Sequence, residues 1–300
     1  MRMFAAFLAL ISGTMTFGVK IEVPQTDVGL EQVLHSLQAA TSLGAAQCGA
    51  ALDQLLSTDY VEIAPDGSVI SRSNFLKAKS TACSGAGPVG VEDERIHLFK
   101  DASGSNKTAV ITYRTNQNHG ASYTQNLNVF SKRSNWVPIA GREMPVTASD
   151  QLAVVVDAKA KIATAHVGPN ADTEELQKWV ELSEWASVPS PTGSDEERKK
   201  QEARLKMMPA DYLRITRTGN FMTRDEALNG GVDQAGVQEI TYNNVQIAVT
   251  GDVGIVTYRS TYLISTRTQY NLVMRVFMKR YDMWDEIAGQ SFPIPRPPAP

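Results

Sequence analysis

Histidine and cysteine are scarce in this chain, with four of the first and two of the second among 300 residues. His35, His97, His119 and His166 never fall at the HxxH, HxxxH or HExxH spacings that place two imidazoles on one face of a helix, so no familiar metal site is written here. A Gly-x-Ser-x-Gly element is missing, and neither cysteine has a base beside it in sequence, which removes the usual marks of a nucleophile. DASGSNKT at 101–108 lacks the Gly-Lys-Ser/Thr ending of a phosphate loop and reads as a hairpin turn. No cofactor is expected. An excess of one charge is also lacking: 29 Lys and Arg against 32 Asp and Glu leave a net charge of -3. That balance gives no general attraction to nucleic acid or to anionic lipid. The most apolar run, residues 3–11, falls short of the roughly 20 residues that a membrane-crossing helix needs.

The setting of that run is informative. Arg2 precedes it and small residues follow it to Gly18, the charged, apolar, small-residue order of a secretory signal peptide over residues 1–18. A buried N-terminal helix is the alternative. A secreted or periplasmic protein meets an oxidising compartment, in which Cys48 and Cys83 form a candidate disulfide; two buried free thiols are the other reading. No span is expected in the mature chain.

What the chain does contain is a second copy of itself. DYVEIAPDGSVISRSNFL at 59–76 returns as DYLRITRTGNFMTRDEAL at 211–228, aligning Asp59, Tyr60, Gly67, Arg72 and Leu76 with Asp211, Tyr212, Gly219, Arg224 and Leu228. TAVITYR at 108–114 answers VGIVTYR at 253–259, and VFSKRSNWVPIAGREMPV at 129–146 answers VFMKRYDMWDEIAGQSFPI at 276–294. Matching order at an interval near 150 residues signals a duplicated domain, since solenoid repeats run at roughly 20 to 50. The expected layout is a first domain at 24–147, a linker at 148–170, a second domain at 171–294 and a proline-rich tail at 295–300. Apolar content of 42% and charged content of 20% suit a folded protein.

Within the first copy, Leu30, Val33, Leu34 and Leu37, then Ala51, Leu52, Leu55 and Leu56, recur at helical spacing, predicting two helices broken near Gly44. Pro65, Asp66 and Gly67 close a short strand with a turn, and a third helix is predicted over 71–78. β-branched and aromatic runs separated by Asp, Ser, Asn and Gly then predict an antiparallel meander. The second copy repeats the plan, with helices over ADTEELQKWVELSEWASV and DEERKKQEARLKMM. In the linker, 152–156 fits a strand or a helix equally. The fold class is α+β.

A helical opening, a D-[FY]-x-x-[IV]-x-P-x-G element and strands ending in W-x-x-[IV]-A-G resemble the SnoaL-like branch of the nuclear transport factor 2-like superfamily, specifically the domain of unknown function 4440 set. The motifs stand here as DYVEIAPDG and NWVPIAG, then DYLRITRTG and MWDEIAG. The resemblance implies cone-shaped domains, each a strongly curved antiparallel sheet around N-terminal helices with a pocket at the open end. It also implies that the two domains pair through their sheets as an internal pseudo-dimer. Isomerase relatives carry a general-base carboxylate before the first turn, where this chain has Ala64 and Thr216, neither able to shuttle a proton. Many relatives carry a polar residue after the terminal motif; Arg142 and Glu143 stand there and read as a solvated strand end. Tyr60 with Tyr212 and Tyr113 with Tyr258 recur at the cone interior and are candidate pocket residues for a small, partly apolar ligand, with core packing the plainer reading. Trp136 and Trp284 read as core anchors. The leading expectation is a non-catalytic ligand-binding or protein-interaction module, and the alternative is a pocket enzyme of the isomerase or hydrolase kind. A buried carboxylate with a strongly shifted pKa separates them.

Overall fold

The computed structural model describes residues 27–83, 90–116, 122–157, 160–162, 165–229, 237–265 and 267–295. The expected signal peptide, His119 and residues 296–300 of the tail lie outside these. α1 (Val28–Thr41) turns Leu30, Leu34, Leu37 and Ala40 to the core, and the Asp27 carboxylate accepts from the Gly29 and Leu30 amides at its start. Gly44, in extended conformation, opens α2 (Ala45–Leu55), so the break falls where the sequence places it. β1 (Val61–Ile63) and β2 (Val69–Ser71) form a hairpin, followed directly by α3 (Arg72–Ala82). A disulfide joins Cys48 on α2 to Cys83 at the end of α3, with the Cα atoms 6.4 Å apart.

Four long strands complete this half: β3 (Gly90–Lys100), β4 (Asn106–Asn116), β5 (Ser122–Lys132) and β6 (Trp136–Thr147). The sheet order is β2-β1-β6-β5-β4-β3, antiparallel except where β1 lies parallel to β6.

The second half holds β7 (Ala165–Val167), α4 (Asn170–Ser187), α5 (Asp195–Met207), β8 (Leu213–Ile215), β9 (Phe221–Thr223), α6 (Arg224–Asn229), β10 (Val237–Thr250), β11 (Val253–Ile264), β12 (Arg267–Arg280) and β13 (Met283–Ile294). Its order, β7-β10-β11-β12-β13-β8-β9, is that of the first sheet with one strand added. The irregularities that bend the strands are duplicated too. Register shifts between Glu92 and Arg95 and between Val129 and Phe130 return between Asn243 and Gln246 and between Val276 and Phe277. Asp93 and Asn244, with positive φ of 53° and 55°, occupy the matching bulges, and bulges deepen the twist that curls a sheet into a cone.

The added strand comes from the connecting segment. β7 runs parallel to the edge of β10, while residues 152–156 are neither strand nor helix: Leu152 makes an isolated bridge to Val146, and Val156 packs on Leu272 and Ile294.

Side-chain alternation divides each sheet between two cores. On β4, Ile111 and Tyr113 face Leu30, Leu34 and Leu52 of the helices, and on β11, Val256 and Tyr258 face Leu176 and Val180 of α4. The opposite faces meet each other. Val110, Val129, Ile139 and Ala140 share one core with Ile255, Met274, Val276 and Ala288, so the halves pair sheet to sheet within the chain. Arg114 Nη2 donates to the Thr218 carbonyl at 3.4 Å and Arg259 Nη2 to the Asp66 carbonyl at 3.3 Å, repeat-related contacts that run both ways across the junction as in an isologous dimer.

Candidate functional site

In the second cone a cavity of about 310 Å³ lies between the helices and the inner face of the sheet. On β8, Leu213 and Ile215 point to the interdomain core, so the residue between them, Arg214, faces the cavity. On β12 the same alternation turns Asn271, Val273 and Arg275 inward.

Behind the wall sits a buried polar network. Arg275 Nη1 donates to both Glu286 oxygens at 2.6 Å, and its Nε donates to Tyr258 Oη at 2.7 Å. The Tyr258 hydroxyl donates to Glu184 Oε1 at 2.6 Å, and Ser260 donates to Glu184 Oε2 at 3.2 Å. Burial raises the Glu286 pKa, with the Arg275 charge opposing it. Burial pulls the Arg275 pKa down, but Glu286, Tyr258 and Glu184 outweigh it and hold the guanidinium charged.

The first cone has the same strand order and different electrostatics. Its cavity, about 260 Å³, is lined by Lys79, Tyr113, Asn126 and Glu143 among others. Lys79 Nζ grips both Glu143 oxygens at 2.7 and 2.8 Å. Deeper, Tyr60 Oη donates to Glu62 Oε2 at 2.5 Å, and Asn128 donates to Tyr113 Oη at 3.3 Å. Burial, followed by the nearby Glu143 charge, pushes the Glu62 carboxyl up to about 8.

The twice-written Ile-Ala-Gly has a physical reason. Ala140 and Ala288 pack in the interdomain core, while a Cβ on the following glycine would collide with polar atoms on the inner side. At Gly141 it would lie 2.2 Å from Tyr60 Oη and 2.7 Å from Glu62 Oε2; at Gly289, 2.8 Å from Tyr212 Oη and 3.0 Å from Glu286 Oε1. Glycine is kept where a tyrosine and a carboxylate meet.

Of the four candidate tyrosines, Tyr113 and Tyr212 line the two cavities. Tyr60 and Tyr258 lie behind the walls, their hydroxyls engaged by Glu62 and Glu184. Ala64 and Thr216 sit in the hairpin turns, where their amides donate to Ser68 and Asn220 carbonyls at 2.9 Å. Trp136 and Trp284 are buried against the helices. The solvated strand end expected at Arg142 is a correction: Arg142 is 1% exposed and stacks 5.0 Å from the Phe292 ring of the other half. Burial pulls its pKa down to about 9. That strand end is covered by the second half of the chain, which a reading of one repeat alone does not include. Glu143 does reach a cavity. His97 packs on the Phe99 and Phe221 rings, and among the described residues no group of three His, Cys, Asp or Glu is placed to hold a metal.

The residues that sequence reasoning passed over are Glu62, Arg214, Asn271, Arg275 and Glu286. One signal was present: within the duplicated block, DYVE against DYLR exchanges a carboxylate for a guanidinium at corresponding positions.

Fold and cavities together define a tandem pair of curved-sheet cones. No family model and no curated protein matches the chain. Solved structures with a similar fold include an NTF2-like protein of unknown function from Shewanella oneidensis, at 16% identity and TM-score 0.33 over 40% of this chain and 98% of that one. A protein of unknown function with a cystatin-like fold from Nostoc punctiforme matches at 15% identity and TM-score 0.35, over 44% of this chain and 98% of its own. The association domain of C. elegans CaMKII matches at 16% identity and TM-score 0.33, over 41% and 95%.

Proposed function

We propose that this is an exported, tandem SnoaL-like protein of the domain of unknown function 4440 type, in which the second cone binds a small, partly apolar molecule and the first braces it. The observation that carries this reading is the wall of the larger of the two cavities, where Met207, Val237, Ile264 and Val273 stand beside polar groups around one concave space. Commitment of Glu184 and Glu286 to internal donors supports binding without proton transfer there. In the first cone the Lys79–Glu143 pair stands across the cavity.

The test is titration of the whole chain with 1-aminoanthracene, a neutral dye that brightens in apolar surroundings. One dye per chain is expected, with loss of binding in Ala227→Trp, which fills the second cavity. Unchanged binding in that variant contradicts the assignment.

A second reading, an isomerase- or hydrolase-type pocket enzyme, draws on one observation: Glu62 beside Tyr60 in the first cone, with its pKa moved up to about 8, has the poise of a general base. Turnover that disappears in Glu62→Gln, with the fold intact, favours this reading over the first.

A further inference from the structure

Arg214 is half-buried on the wall of the second cavity, and among the described residues it has no acidic partner and no hydrogen-bond acceptor. The other two guanidinium groups on that wall are engaged, Arg275 by Glu286 and Arg204 through its Nε by the Ala186 carbonyl at 2.8 Å. The charge of Arg214 acts on the hydroxyls of Tyr212 and Tyr262, both on the same wall. Asn271 supplies a second, independent sign. It is 3% exposed and lines the cavity; its Oδ1 accepts from Gln269 at 3.1 Å, while its Nδ2 has no partner. A buried amide donor without an acceptor is costly, and this one belongs to a cavity-lining side chain, so an acceptor brought by a ligand would relieve that cost.

Among the described residues the charge on the wall has one sign. Arg204, Arg214 and Arg275 contribute to it, and no described Asp or Glu does; Glu184 and Glu286 lie behind, held by Arg275, Tyr258 and Ser260. The first cone is the natural control. There Glu62 stands in the place of Arg214, and Lys79 is neutralised by Glu143.

Building on the reading of the second cone as the binding site, we infer that its ligand is a small monocarboxylate with an apolar body, the carboxylate held by Arg214 and the Asn271 amide and the body by Val237, Ile264 and Val273. A planar monoanion matches one free guanidinium fork, whereas a phosphate dianion calls for more free cations than the wall offers.

The experiment is calorimetric titration of the full chain at pH 7 with octanoate, octan-1-ol and octyl phosphate, in the wild type, Arg214→Gln and Arg214→Lys, each checked for an unchanged melting temperature. Octanoate is expected to bind about tenfold or more tighter than the alcohol, an advantage that Arg214→Gln removes and Arg214→Lys partly keeps, with alcohol affinity unaltered. Equal affinity for octanoate and the alcohol overturns the carboxylate assignment and leaves the cavity reading standing. Tighter binding of octyl phosphate overturns it in favour of a dianion. Absence of binding by all three probes overturns the inference and the binding reading together.

Discussion

Thr112 and Thr257 occupy corresponding places in the two repeats and make the same hydrogen bond in opposite directions. Thr112 Oγ1 donates to the Gly219 carbonyl at 2.7 Å, and Thr257 Oγ1 donates to the Gly67 carbonyl at 2.6 Å. Each acceptor belongs to a glycine that the crossing demands. Gly67 and Gly219 have φ of +91° and +81°, and a Cβ on either would lie 2.4 Å from a side chain of the opposite half, Leu272 in one case and Gln125 in the other. A contact of this kind, repeated about a pseudo-twofold axis, is what an ancestral homodimer interface becomes once its subunits share one chain.

Gly67→Ala and Gly219→Ala should each destabilise the protein by roughly 1–3 kcal/mol, from strain at positive φ and the clash with the other half. Thr112→Val and Thr257→Val should cost about 1–2 kcal/mol each by leaving a buried carbonyl unpaired. Urea denaturation with two probes, one reporting each half, measures both, and because the halves share a core the two curves should coincide. Curves that separate would mean that the halves fold independently.

Arg275→Met should cost about 3–5 kcal/mol, because it leaves Glu286 and Glu184 buried without their cation. Adding Glu286→Leu to that variant should recover part of the loss, so the two changes are less than additive. Additive losses in a double-mutant cycle would show that the pair does not couple.

Stability should fall as pH rises through neutrality. Glu62 has a folded-state pKa of about 8 against an ordinary 4.5, so the native state holds a proton that the unfolded chain has released. Its contribution is therefore fully present below pH 4.5 and is lost progressively up to about pH 8. At roughly 1.4 kcal/mol per unit, the loss amounts to a few kcal/mol. The groups facing it, Tyr60, Lys79, Tyr113, Arg142 and Glu143, remain in Glu62→Gln, which should flatten the profile and exceed the wild type in stability at pH 9. A wild-type profile already flat between pH 5 and 8 contradicts the assignment.

Much of the scaffold was legible because its determinants are local. Leu30, Leu34 and Leu37 spell a helix face, Gly44 a break, and the repeated Gly67 and Gly219 a turn with no room for a side chain. Order and duplication of short motifs then carried the architecture. Two things were not legible. β7 pairs in parallel with β10 across the helices, and three residues hold no periodicity from which to read such a partner. The polar interior was hidden because Glu62, Arg214 and Arg275 look like solvated strand residues until the helices cover them. Arg142 was hidden differently: its environment is made by Phe292, 150 positions away, on the other half.

Cys48 and Cys83 are joined in the folded chain, and the proposed export would carry them to an oxidising compartment. Intact-mass measurement of protein secreted by an exporting host, after treatment with a thiol reagent, should show no labelled sulfur before reduction, two after it, and loss of roughly the first 18 residues. Two labels without reduction would exclude the bridge, and an unprocessed N-terminus would contradict export.

Small-angle X-ray scattering of the full-length chain in solution bears on the sheet-to-sheet pairing itself. A paired, single-bodied particle should give a radius of gyration of roughly 20 Å and one maximum in its distance distribution. A second maximum from two separated lobes would contradict an internal pseudo-dimer.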